Sequence, residues 1–462
     1  MAPVTDSPTQ PTSRPVNLVP RILTAGEHPI TLKVIDRDAL HVLKKLNASG
    51  FSGYLVGGGV RDLYLGKQPK DFDISTDARP GQIRKLFPNS TVIGRRFRLV
   101  QVYFPHGKII EVSTLRSLDE HDLEGPEAIL APNNTFGTVA EDAQRRDLTI
   151  NGLFFDIRDQ TIIDYVDGVQ DLDRAIIRMI GDPERRIHRD PVRMIRAIRH
   201  SARNNFRIEE RTWKAICDNC QMLQYCPPSR LRDELLKDLY SGYTSAWIET
   251  AIDSGIFLSL FPLYRKAFSR QPEAELHPRV QLLKLTIVLD RLNQQSGTRR
   301  GSRLPDYFLL ALILIPWADC RYGIYSQQHA SAALYQIAKK IRNDIDQEIG
   351  QQLNLRRSLR QEASSLLSNL AVLLQYQDTK LWPKWLKNKS YFPKAALLHS
   401  CYMEAMFGVP SLDAPSLDER QEVAIAEIHE ESVKPSRQRE EYRRGRPAFS
   451  SKTKGGIFGF KK

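Results

Sequence analysis

The sequence predicts an α+β region followed by an all-α remainder, on three observations. Short runs of alternating or continuous apolar residues, bounded by turn residues, fill the first third of the chain. Beyond about residue 172, apolar residues instead recur at spacings of three and four, the period of a helix with one buried face. At 462 residues the chain is also too long for one domain of ordinary size.

Residues 1–30 carry frequent prolines and few apolar side chains and are expected to be disordered. An α/β region is expected over 31–171, with strands at 53–56, 72–74, 99–104 and 109–114. Pro105-His106-Gly107-Lys108 has the composition of a hairpin loop between the last two. Helices follow at 187–202, 213–223, 231–239, 246–258 and 334–341, divided into a neck over 172–262 and a body over 263–430. The apolar run 308–317 reads as a buried helix ended by Pro316, and is about half the ~20 residues needed to span a bilayer.

Sixty-seven Lys and Arg against 54 Asp and Glu leave a formal charge of +13, which favours a polyanionic partner. Residues 431–462 contribute ten cations and three Glu, and read as a basic, disordered arm for RNA or for solubility. Cys217 and Cys220 have the spacing of zinc and redox sites. No second pair completes a tetrahedron, so free thiols in a reducing cytosol are expected. A soluble, cytoplasmic protein is the expectation, with a monomer as default.

The residues that carry chemistry fall in three clusters. Gly57, Gly58 and Gly59 follow the first strand and let the backbone turn tightly. The short helix expected at 60–65 then offers amides, and Arg61, to phosphate; a plain turn is the competing reading. In Asp71-Phe72-Asp73-Ile74 the alternation puts both carboxylates on one face, an arrangement that divalent cations relieve; the alternative is a solvated edge strand. Glu111 and Ser113 share a face of their own strand, and Glu111 would be a third metal-holding carboxylate if that strand lies beside Asp73.

In the second cluster Asp147 and Asn151 would share a helix face at i and i+4, suited to a ribose hydroxyl, with Arg146 beside them for a triphosphate. In the third, Asp190 and Pro191 suit a helix start, and Arg193, Arg196, Arg199 and Arg203 form one basic stripe. No P-loop, dinucleotide fingerprint, zincin or kinase motif is present, so those enzyme classes are not supported.

These clusters, in this order, resemble the class II branch of the polymerase-beta-like nucleotidyltransferases, which holds bacterial poly(A) polymerases and tRNA CCA-adding enzymes. The resemblance covers about 53–262. It is carried by Gly57-Gly58-Gly59-Val60-Arg61-Asp62, Asp71-Phe72-Asp73, Arg145-Arg146-Asp147 with Asn151, Asp190 with Arg193, and Arg196-Ala197-Ile198-Arg199. The stretch from Val92 to Val102, Asn134-Thr135-Phe136-Gly137 and Glu141-Asp142-Ala143-Gln144 look like the poly(A) polymerase side.

The resemblance implies a nucleotidyltransferase palm, with a helical neck and body, that adds AMP from ATP to RNA 3′ ends using two Mg²⁺ ions. Asp71 and Asp73 would hold the metals, Asp147 would be a further essential acid near the sugar, and Asp190 with Arg193 would select the base. Gly57, Gly58, Arg61, Arg146, Asn151, Arg196 and Arg199 complete the expected nucleotide site. The chain departs from the family pattern at Arg189, where Glu is usual, at Gly152, where Ala or Ser is usual, and at Gln101, where His is frequent. CCA addition on the same scaffold and a non-catalytic RNA-binding protein are the competing functions.

Overall fold

The computed structural model describes residues 19–94, 99–117, 136–269, 277–296, 303–327, 329–376, 382 and 384–409. Residues 95–98, Asn134, Thr135, most of 1–30 and the C-terminal acidic and basic stretches therefore lie outside the described part. Eight strands form one sheet: β1 (Arg21–Leu23), β2 (Gly53–Val56), β3 (Asp73–Thr76), β4 (Ser90–Ile93), β5 (Leu99–Tyr103), β6 (Ile109–Thr114), β7 (Leu153–Asp156) and β8 (Thr161–Asp164). Their order is β1-β8-β7-β2-β3-β6-β5-β4. Every pairing in this sheet is antiparallel except β3 with β6, since the chain passes through a helix at Pro80–Leu86, then β4 and β5, before returning beside β3.

β1 corrects the expectation that 1–30 is wholly disordered. It pairs with β8 through Arg21↔Asp164, and a three-residue strand with one buried side chain has no period to detect. β2 is buried along its whole length between β7 and β3, which explains its continuous Gly-Tyr-Leu-Val run. β5 and β6 form the expected hairpin around 105–107.

Helices in the sheet region are α1 (Arg37–Ala48), α2 (Gly58–Tyr64), α3 (Pro80–Leu86) and α4 (Val139–Arg145). α1 is capped by the Asp36 carboxylate, which accepts from the amides of Asp38 and Ala39, and it buries Ala39, Val42, Leu43 and Leu46. α4 starts with a capping box between Thr138 and Glu141.

The chain then continues through α5 (Gly168–Asp173), α6 (Pro183–Arg189), α7 (Val192–Asn204), α8 (Glu210–Asn219), α9 (Pro228–Leu239), α10 (Thr244–Asp253), α11 (Ile256–Leu260) and α12 (Arg265–Phe268). It is not purely helical there: β9 (Ile176–Ile177) and β10 (Arg207–Ile208) form a two-stranded parallel sheet. The single helix expected over 187–202 is broken at Asp190-Pro191, because proline cannot supply the amide that would continue α6.

The remaining helices are α13 (Pro278–Ser296), α14 (Asp306–Tyr322), α15 (Ser331–Ile345), α16 (Arg357–Gln375), α17 (Lys384–Lys387) and α18 (Phe392–Phe407). α14 is buried from Phe308 to Ala318 and runs through Pro316 instead of stopping there. The Tyr264 hydroxyl donates to the carbonyl of Ile313, in the turn that the proline disturbs. No helix among the described residues is long and apolar enough to cross a membrane. The five cysteines are free thiols.

Arg199 joins α7 to α9. Its Nε and Nη2 donate to the two oxygens of Asp238 at 2.6 and 2.9 Å, and Nη1 donates to Glu234 Oε2 at 2.5 Å. Arg199 is 6% exposed and both acids are buried, so it sits in an interior charge cluster, where the sequence led to the expectation of a nucleotide contact. Against the cost of burial, Arg199, Arg196 and Lys237 hold Glu234 below the usual carboxylate range, whereas burial raises Asp238.

Arg199→Met would leave the buried Asp238 without its ion partner and Glu234 with only Arg196 and Lys237, and should cost about 3–5 kcal/mol, a fall in Tm of the order of ten degrees. The deficit should shrink as pH falls. Asp238, raised already and raised further without Arg199, binds more protons folded than unfolded, so acid stabilises the variant more than the wild type, in which protonation of Glu234, held low, costs stability. Thermal melts of both proteins over a pH series check this; a pH-independent deficit would assign the loss to packing.

Candidate active site

The site is built on the ends of β2, β3 and β6, on α2 and α4, and on the start of α7. Gly57 leaves β2 at φ 65°, ψ −131°, a conformation that side chains rarely adopt, and a Cβ there would stand 3.1 Å from Arg146 Nη1. The glycine turn thus lets the arginine that follows α4 approach the backbone.

Asp71 and Asp73 are exposed while Phe72 and Ile74 are buried, as the alternation predicted, although β3 itself begins at Asp73. Asp73 is the direct neighbour of Glu111 in the parallel β3–β6 register. Asp73 is open to solvent on one side, yet the protein around it pushes its pKa up to about 6. Loss of hydration is the main cause, Glu111 and Asp71 add repulsion, and Arg146 opposes. Gln101, opposite Glu111 in the hairpin, donates from Nε2 to Glu111 Oε1 at 2.9 Å, and the Tyr103 hydroxyl donates to Gln101 Oε1 at 3.3 Å.

Arg146 Nη2 donates to Asp142 Oδ2 at 3.0 Å and to Ser75 Oγ at 3.2 Å, and its guanidinium lies 4.9 Å from the centre of the Phe154 ring. It is therefore a fixed positive charge close to Asp73. Arg61 is buried: Nε and Nη2 donate to Asp62, and Nη1 donates to Asn151 Oδ1 at 2.7 Å. Arg61 is thus tied to α2 and Asn151.

Asp147 and Asn151 do not share a helix. α4 ends at Arg145, Leu148 bridges to Met179 in an extended conformation, and Asn151 closes a separate short turn. They meet nonetheless, with Asn151 Nδ2 donating to Asp147 Oδ1 at 3.3 Å. Burial opposes ionisation of Asp147, but Arg196, 3.5 Å from Oδ2, heads the positive charges that outweigh it and hold the carboxyl well below its usual range. His200 is half-buried here. Burial and Arg61 push its pKa down to about 3, so it is neutral, and Nδ1 accepts from Arg61 at 3.2 Å.

Asp190 does not cap α7 with its side chain. Its Oδ2 accepts from Arg230 Nη2 at 2.8 Å, while the buried Oδ1 has no hydrogen-bond partner among the described residues. Arg193 donates to the carbonyls of Arg146 and Arg145 at 3.4 Å. The structure thus brings Asp71, Asp73, Glu111 and Arg146 to one place, and Asp147, Asn151, Arg61 and Arg196 to another beside it. Arg199 belongs to neither, because its donors are taken by α9.

Sequence reasoning missed Asp142, Ser75, His200 and Arg230, which support these groups from other elements. The Gln101–Glu111 contact was open to it: counting outward from the hairpin pairs 103 with 109 and 101 with 111. Gly152 also finds its reason, since a Cβ there would stand 2.5 Å from Val166 Cγ2.

Among the described residues, no three His, Cys, Asp or Glu side chains converge to enclose a metal ion by themselves. An open set that leaves positions for phosphate oxygens is the arrangement Mg²⁺ prefers, and the destabilised ionised form of Asp73 fits a cation.

Comparison with known proteins agrees with this geometry. Residues 53–178 match the model of the poly A polymerase head domain, and 205–268 match the probable RNA- and SrmB-binding site of polymerase A. Poly(A) polymerase I of Salmonella typhi is 39% identical over 346 residues, 73% of this chain and 71% of that protein. A CCA-adding enzyme of Lactobacillus helveticus is 40% identical over 200 residues, 43% of this chain and 49% of that protein. The crystal structure of the Bacillus stearothermophilus CCA-adding enzyme in complex with CTP superposes with a TM-score of 0.59 at 21% identity, covering 87% of this chain and 89% of that one. That likeness fixes the fold as the polymerase-beta-like nucleotidyltransferase type. The relation to poly(A) polymerase I extends well beyond the head domain and across most of both sequences, so this chain belongs to the bacterial poly(A) polymerase family.

Proposed function

We propose that this protein is a polynucleotide adenylyltransferase that takes ATP and an RNA 3′ end as substrates, in the cytoplasm. The observation that supports this most is the parallel register that sets Asp73 beside Glu111, with Asp71 on the same face and Arg146 close by. In the reaction the RNA 3′ oxygen bonds to the α-phosphorus of ATP, the bond to the bridging oxygen breaks, and pyrophosphate leaves.

Asp71, Asp73 and Glu111 are the residues that would hold divalent cations. Such ions supply charge neutralisation for the phosphates and a lowered pKa for the attacking hydroxyl. Gln101 fixes the Glu111 carboxylate. Arg146, anchored by Asp142 and Ser75, presents positive charge to the triphosphate. Asp147, ionised at neutral pH, accepts from a ribose hydroxyl, and the network of Arg61, Asn151 and His200 keeps it oriented. Asp190 Oδ1, buried and without a partner, offers an acceptor to the exocyclic amine of adenine, with Arg193 beside it. Arg189 ends α6 next to this acceptor, where the family pattern has an acid, which concentrates base choice on Asp190.

The deciding assay is extension of labelled oligoadenylate and of a tRNA lacking its CCA end, with Mg²⁺ and each nucleotide alone, then CTP with ATP. A long ladder with ATP alone is expected; three additions requiring CTP, on tRNA only, would move the chain to CCA addition. Asp71→Ala/Asp73→Ala should lower the rate by about a thousandfold or more with RNA binding retained. RNA binding without addition by the wild type would instead favour a binding protein. Glu111→Gln should lower activity by about ten- to a hundredfold and raise the Mg²⁺ concentration needed for half-maximal rate. In Asp190→Asn, discrimination between ATP and the other nucleotides should fall by about tenfold, read as the ratio of kcat/KM values.

A further inference from the structure

Glu111 stands in a row of side chains that crosses three strands. Asp73 is its neighbour on β3, and Gln101 is its partner on β5. The side away from the other carboxylate is therefore an uncharged amide. A Lys or Arg at 101 would hold Glu111 in an ion pair. Glutamine leaves the negative charge whole and acts on its direction alone.

The contact is specific. Along β5, Val100 and Val102 are buried while Gln101 and Tyr103 are half-buried, so Gln101 and Tyr103 share the face on which Glu111 lies. The Tyr103 hydroxyl donates to Gln101 Oε1 at 3.3 Å. With its oxygen taken on that side, the amide turns its nitrogen toward Glu111, and Nε2 donates to Glu111 Oε1 at 2.9 Å. Glu111 Oε2 has no hydrogen-bond or ion-pair partner among the described residues. The carboxylate is thus asymmetric: one oxygen carries a donor and the other is free.

That asymmetry discriminates between cations. Mg²⁺ takes single carboxylate oxygens at short distance, in an octahedron shared with water and phosphate. Ca²⁺ takes more oxygens and gains from carboxylates that chelate with both of theirs. We propose that Gln101, held by Tyr103, makes this site select Mg²⁺ over Ca²⁺ by leaving Glu111 one oxygen for the ion. Gln101 and Tyr103 are positioning residues that act through Glu111. The inference rests on Asp71, Asp73 and Glu111 being the set that holds cations, and adds which ion that set accepts.

The test follows Mn²⁺ binding to the whole protein by electron paramagnetic resonance, with α,β-methylene-ATP present, so that no turnover is needed. Competition with Mg²⁺ and with Ca²⁺ gives the ratio of their affinities. The nucleotide takes up ions equally in every sample, so differences between variants belong to the protein. The wild type should favour Mg²⁺. In Gln101→Leu the ratio should move toward Ca²⁺ by about tenfold, the scale on which a group behind a ligand tunes a metal site. Tyr103→Phe should move it the same way by less, because the amide stays but its orientation is no longer fixed. Gln101→His, which keeps an N–H donor, should hold the ratio near the wild-type value.

An unaltered ratio in Gln101→Leu would overturn the proposal, as would a wild type that favours Ca²⁺. Equal loss of both affinities with a lowered Tm would make Gln101 a packing residue and overturn it as well. So would a Gln101→His variant that behaves as Gln101→Leu does. A wild type that binds no more Mn²⁺ than Asp71→Ala/Asp73→Ala would refute the cation-holding set, and this inference with it. A wild type that binds Mn²⁺ with the expected selectivity but adds no adenylate would refute only the reaction proposed above.

Discussion

Two carboxylates held side by side on adjacent strands set the terms for the rest of the site. Asp73 and Glu111 repel each other, and the raised pKa of Asp73 records that repulsion together with lost hydration. A sheet tolerates like charges at paired positions only where something else neutralises them. Here Arg146 does so in part, and it can because the positive φ of Gly57 clears space for its guanidinium while Asp142, Ser75 and the Phe154 ring hold it. The remaining unbalanced charge faces outward, where a cation bound with phosphate would complete the balance.

Around this pair the protein spends its arginines in different ways. Arg61 and Arg199 look equivalent to Arg146 and Arg196 in sequence, but both are enclosed and committed to protein acceptors. Arg199 holds α7 onto α9, and so fixes the direction in which the start of α7 presents Asp190 and Arg193. Arg61 reaches across to Asn151 and His200 and so fixes Asp147. The structural arginines therefore position the functional acids, and the basic balance of the described chain is only partly available to a polyanion.

The Asp190-Pro191 break matters for the same reason. A continuous helix over 187–202 would turn the Asp190 side chain with the helix. The break leaves Asp190 with one oxygen on Arg230 and the other buried and unpartnered. An unsatisfied buried acceptor costs stability, and such a cost is commonly carried where a ligand will supply the donor.

By itself the sequence determined the layout of this protein: a sheet region first, helices after, the glycine turn, the hairpin around 105–107, and the alternation that sets Asp71 and Asp73 on one face. These depend on periodicity and turn chemistry over a few residues, and the chain writes both locally. Only the tertiary structure decided that β6 lies beside β3, that Asp147 and Asn151 meet without sharing a helix, that Arg199 is buried, and that α14 continues through Pro316. Each of those outcomes depends on partners far away in sequence: a parallel crossover, a bridge from Leu148 to Met179, the acids of α9, and the packing that buries α14 from Phe308 to Ala318. Pairing over such distances is settled by packing and charge neutralisation in three dimensions, for which a local pattern carries no record.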